Sequence, residues 1–117
     1  MPLLKIFTSA EPLPTAHRSE LLKAASALLA RELGKPEAYV MTCIVPQTAM
    51  TFAGSEAPSA YAELKNIGIF SPELTERLSR ALCALLSNAL GVPQNRIYIE
   101  FTDAEAHRWG FDGGTFA

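Results

Sequence analysis

Apolar positions recur along this chain at helical spacing in two separate stretches. In the first, Leu22, Ala25, Leu29 and Leu33 return at intervals of three and four, with Leu21 and Leu28 widening the stripe. In the second, Leu74, Leu78, Ala81, Leu82, Leu85, Ala89 and Leu90 do the same. The ends agree. Ser71-Pro72-Glu73 offers a hydroxyl cap, a proline for the first turn and a carboxylate at the positive end of the dipole. Pro14 is the candidate start of the first helix. Gly34 and Gly91 stand where a left-handed closing residue is wanted, and Pro36 and Pro93 stop continuation. Each helix is followed by an echo of one pattern, Leu-Gly-x-Pro and then a β-rich run: ELGKPEAYVMTCIV (32–45) and ALGVPQNRIYIEF (89–101). Strands are also expected before each helix, in PLLKIFT and in SAYAELKNIG, the latter against the helix preference of its Ala, Glu, Leu and Lys residues.

The chain therefore reads β-α-β, β-α-β, closing with HRWGFDGGTFA. Each crossover makes its two strands parallel and right-handed. The expected fold is α/β in the broad sense and α+β in detail, with two βαβ repeats forming a four-stranded mixed sheet and both helices on one face. VMTCIV and IYIEF carry apolar residues on both alternating sets, more than one covered face requires. A symmetric homo-oligomer burying the open face resolves that excess.

Composition narrows the function classes. The 117 residues, 49% hydrophobic and 19% charged, suit one compact domain over residues 1–117. A net charge of −2 argues against nucleic acid as a partner. No apolar run is long enough to span a bilayer, and no signal-peptide pattern opens the chain, so the expected location is cytoplasmic, with non-classical export left open. Cys43 and Cys83 form no CxxC pair and are expected as reduced, buried core residues. His17 and His107 have no partners at metal-ligand spacing, so no metal site is expected. The chemistry that remains sits at the N-terminus. Pro2 is either strand-start punctuation, having no N–H to offer a ladder, or, once Met1 is removed, a secondary amine able to act as a base.

From Pro2 onward the chain resembles the macrophage migration inhibitory factor family of the tautomerase superfamily. The matching residues are Pro2 itself, GKP at 34–36, VP at 45–46, AGS at 53–55, IG at 67–68, RIYI at 96–99 and the terminal TFA. Each is short, but their order runs nearly end to end. The resemblance implies two βαβ units per subunit, a trimer with active sites between subunits, and cofactor-free keto–enol tautomerisation of phenylpyruvate-type aromatic keto acids, with dopachrome-type isomerisation as a second reaction. It assigns Pro2 as general base and acid, Lys35 to the substrate carboxylate or carbonyl oxygen, and Ile67 to a backbone contact. Tyr98 is assigned to the site of a neighbouring subunit, and Phe116 to a pocket wall.

Such a base must be unprotonated near neutral pH, whereas an ordinary α-amino group titrates at roughly 8. Aromatic walls and the Lys35 charge both push a Pro2 amine downward. Duller roles stand beside these: Lys35 as complement to a helix dipole, and Ile67, Tyr98 and Phe116 as core or interface.

Three departures from the animal members matter. SAYA (59–62) replaces a CxxC pair, which implies that the thiol–oxidoreductase activity proposed for that motif is absent. Phe111 occupies the pocket tryptophan position while Trp109 stands two residues earlier, implying a reshaped pocket. Glu100 stands for an Asn, on the same strand face as Tyr98. A carboxylate there would repel an anionic keto acid and hold Pro2 protonated. At about 6 Å and an effective dielectric of ~20, the effect is roughly 3 kcal/mol before screening. Pairing with Arg108 or Lys35 would neutralise it. Three functions compete: the tautomerase, a cytokine-type protein ligand, and a binding trimer with weak turnover.

Overall fold

The computed structural model describes residues 1–11 and 13–117. Strand β1 (Leu3–Thr8) leads to helix α1 (Thr15–Leu33) and β2 (Met41–Val45); β3 (Ala60–Ile67) leads to α2 (Pro72–Leu90) and β4 (Ile97–Ala104). The sheet order is β2-β1-β3-β4. Within each repeat the strands are parallel, and the repeats join through an antiparallel β1–β3 pair in which Leu4 faces Leu64 and Ile6 faces Ala62. The expected α+β fold is the observed one. SAYAELKNIG is a strand because alternate residues Ala60, Ala62, Leu64 and Asn66 are buried under the helices. Tertiary burial overrides its local helix preference.

The buried helix ridges differ in detail from the sequence pattern. In α1 the fully covered ridge is Leu21, Ala25 and Leu29, while Leu22, Leu28 and Leu33 lie at its margins. In α2 it is Leu78, Leu82, Leu86 and Leu90, which adds Leu86 and leaves Leu74, Leu85 and Ala89 half-buried. Both ridges run at steps of four, the spacing by which helix ridges seat against a neighbouring layer. They close the core over Leu4, Ile6, Leu64 and Val92. Ser71 accepts a hydrogen bond from the Leu74 N–H at 3.2 Å, and Pro72 fills the first helical position. Pro14 begins α1 without a side-chain cap.

The opposite sheet face carries no helix. Its edge strands present Met41, Cys43 and Val45 on β2 and Tyr98 on β4, with Met41 64% and Tyr98 65% exposed. The central strands place Lys5, Glu63 and Lys65 on that same face. The apolar excess expected from sequence runs across this face, with Leu3 and Phe7 on β1 and Tyr61 on β3 beside the edge residues, and Lys5, Glu63 and Lys65 interrupt it. Both cysteines are free and half-buried rather than core. Cys43 alternates with the helix-facing Thr42, whose hydroxyl donates to the Leu22 carbonyl.

The last segment, for which the sequence pattern predicts no element, forms a second small sheet. Strands β5 (Gly110–Phe111) and β6 (Gly114–Thr115) pair antiparallel through Asp112 and Gly113, both at positive φ (50° and 81°). Two successive left-handed residues are what a two-residue hairpin turn needs to match strand twist.

Candidate active site

Pro2 lies one residue before β1, fully buried, with its carbonyl accepting the Met41 N–H at 3.0 Å. The strand can begin on proline because the ring costs no ladder donor at that position. Lys35 arrives by a different route. Gly34 adopts φ +62°, and the Lys35 N–H then returns to the Ala30 carbonyl at 3.1 Å, the closing bond of a Schellman-type helix end. That stop turns the chain so that Lys35 Nζ donates to the Ile67 carbonyl at 3.2 Å, half-buried at the C-terminal end of β3. Lys35 is not a solvated lysine complementing a helix end. It bridges the two repeats beside the N-terminus.

The consequence is electrostatic. Burial, and secondly the Lys35 charge, hold the chain's terminal amine below the ordinary α-amino value. Both causes act on the charged form: low polarisability leaves the ammonium poorly solvated, and a nearby cation repels it. In the full-length chain that amine belongs to Met1, and the Pro2 nitrogen is an amide.

A cavity of about 220 Å³ opens beside Pro2, lined among others by Met1, Tyr39, Met41, Trp109, Phe111 and Phe116. Three of these rings form a box. Phe111 and Phe116 stack at 5.2 Å, and Tyr39 meets each edge-on, at 5.5 and 5.7 Å. The β5–β6 hairpin holds two of them, and the Phe116 N–H donates to the Trp109 carbonyl at 3.2 Å. Trp109 and Phe111 thus both line the cavity. Tyr39 is not among the residues expected from sequence. It sits in a short 3-10 turn, Glu37–Tyr39, and its signal is only an aromatic close behind Lys35-Pro36.

Pro2, Trp109, Phe111 and Phe116 line this cavity, and Lys35 and Ile67 meet beside the N-terminus. Tyr98 and Glu100 do not line it within one chain. They project from the open face of β4, where Tyr98 packs on Phe52 at 5.0 Å and Glu100 lies opposite Glu63. Among the described residues Glu100 forms no ion pair, so neither Arg108 nor Lys35 neutralises it. Burial first, then Glu100 and Glu63, push the Tyr61 phenol up, and its hydroxyl donates to Glu63 at 3.3 Å. Among the described residues no three His, Cys, Asp or Glu side chains gather as a metal-ligand group.

Comparison with known proteins places these features. The profile of the macrophage migration inhibitory factor family matches residues 1–117. A macrophage migration inhibitory factor homolog of Brugia malayi is 45% identical over 84% of this chain and 85% of its own length. One from Trichuris trichiura is 37% identical over 97% of this chain and 100% of its own length. The crystal structure of a homologue from Prochlorococcus marinus superposes with a TM-score of 0.92, covering 98% of this chain and 99% of the other at 41% identity.

Proposed function

Since the chain belongs to the macrophage migration inhibitory factor family, in the tautomerase superfamily, we propose that it is a cofactor-independent keto–enol tautomerase of phenylpyruvate-type aromatic keto acids. Removal of Met1 converts the Pro2 nitrogen from an amide to a secondary amine at the edge of the cavity. The observation that carries this reading is the placement of Pro2 on the aromatic-lined cavity, with Lys35 beside the same chain end. An amine exposed at Pro2 meets the same two influences, burial and the Lys35 charge, and both favour the neutral form that a general base needs.

Pro2 then takes the proton from the carbon next to the keto group, and the electron pair moves onto the carbonyl oxygen. Lys35 stabilises that oxygen or the carboxylate as negative charge develops. The protonated Pro2 then gives the proton to that oxygen, forming the enol, and the same steps in reverse return the enol to the keto acid. Tyr39, Phe111 and Phe116 supply the flat apolar walls an aromatic side chain needs. In this reading the subunits form a homotrimer, and Tyr98 and Glu100 of one subunit complete the cavity of the next. Glu100 brings an uncompensated carboxylate to a site that binds anions, so turnover of keto acids is weak for the family.

The test is the loss of keto or enol absorbance of phenylpyruvate, with intact mass measured on the same sample. Turnover is expected from protein lacking Met1. Pro2→Gly, which keeps a terminal amine but a more flexible primary one, is expected to lose about 10²-fold or more, the usual reach of a positioned base. Full activity in Pro2→Gly, or in protein shown to retain Met1, overturns the proposal.

A further inference from the structure

Arg96 closes the short 3-10 turn ahead of β4, and four of its five guanidinium N–H groups are committed to backbone carbonyls. Nε donates to the Pro58 carbonyl at 2.9 Å, Nη1 to Phe52 at 3.3 Å, and Nη2 to Ser55 and Ala57 at 3.1 and 2.9 Å. Those carbonyls belong to the loop before β3. Within it Phe52 and Ser55 exchange N–H···O bonds at 2.9 and 3.0 Å around Ala53 and Gly54, both at positive φ (54° and 75°). Ala53 is a side-chain-bearing residue in a left-handed conformation, so this turn needs outside support to persist.

Loop anchoring alone would not require a stacked ring. Yet the same guanidinium lies 5.3 Å from the centre of the Phe52 ring, and that ring packs at 5.0 Å, tilted by 57°, against Tyr98. Tyr98 stands two residues beyond Arg96 on an open sheet face and is otherwise exposed. Charge and ring stacking therefore run in a column, Arg96 to Phe52 to Tyr98, from a rigid carbonyl cradle out to one exposed phenol. We propose that Arg96 is a positioning residue for the reaction: through Phe52 it sets the ring of Tyr98 for its approach to the neighbouring subunit's cavity. This rests on the tautomerase reading above, in which Tyr98 acts across the subunit boundary. Lysine cannot replace Arg96, because a point charge offers neither the planar fork nor the stacking face.

The test is a double-mutant cycle on phenylpyruvate turnover, with assembly and melting temperature measured in parallel. Phe52→Leu keeps the Arg96–carbonyl bonds and removes only the ring. It is expected to raise KM by about tenfold, as a displaced contact group does, with kcat little changed, and Phe52→Tyr is expected to restore it. Arg96→Lys is expected to act in the same direction. In a Tyr98→Ala background neither substitution is expected to add a further loss, since groups acting through one contact are not additive. Losses that multiply in the double variants, or an unchanged KM in Phe52→Leu, overturn the role of Arg96 while leaving the tautomerase reading intact. Absence of turnover in wild type lacking Met1 overturns both.

Discussion

Lys35 shows how a helix stop becomes a chemical group. Because its charge is the second cause of the lowered terminal pKa, after burial, Lys35→Met should move the acid limb of the kcat/KM profile upward in pH. The same variant should bind an anionic substrate less well by about 1.5–3 kcal/mol, the worth of a charged hydrogen bond. A pH–rate series on both proteins checks the two effects together. Glu100 acts in the opposite sense. Glu100→Asn should raise kcat/KM for phenylpyruvate by about tenfold, less than the unscreened Coulomb figure allows. It should also lower the Tyr61 titration towards that of an ordinary phenol, because Glu100 is one of the charges holding it up. Steady-state kinetics and ultraviolet titration of tyrosine check this, and unchanged values in both would remove Glu100 from the site.

At the scale of elements, Gly34 carries the coupling between α1 and the site. Open space surrounds the position where its Cβ would be, so substitution meets strain and no clash. Gly34→Ala should therefore cost about 1–2 kcal/mol of stability and, by loosening the turn that carries Lys35, raise KM as well. Denaturant unfolding beside kinetics separates the two. The core behaves differently. Leu82 is fully buried on the α2 ridge, and Leu82→Ala should cost about 2–5 kcal/mol with no specific change in the pH profile. The stripes, the Ser71 cap and the two glycine stops were legible in the sequence because each is written in neighbouring residues. The exact ridge was not. Leu21 and Leu22 both fit a helical stripe, and the choice between them belongs to the angle at which α1 crosses the sheet.

At the scale of the molecule, one sheet face stays open, mixing apolar Leu3, Phe7, Met41, Tyr61 and Tyr98 with the charged Lys5, Glu63, Lys65 and Glu100. A lone chain gains nothing from exposing Met41 and Tyr98 there. Light scattering should find a mass three times the 12.7 kDa of the chain, and a monomer at catalytic concentration would leave Tyr98 without a cavity to enter. Disruption of that assembly should abolish turnover even where each subunit remains folded.

By itself the amino-acid sequence determined the two βαβ repeats, the helix ends and the family, and its motifs singled out Pro2, Lys35 and the terminal aromatics as candidates for the site. These depend on local spacing and short motifs, which a linear chain carries directly. Tertiary structure alone decided that Tyr39 joins Phe111 and Phe116 in one box, that Lys35 spends a bond on Ile67, and that Glu100 faces Glu63 without a cation. Those pairings join residues far apart in the chain or settle a side chain's direction, and only the assembled sheet and the closing hairpin bring them together.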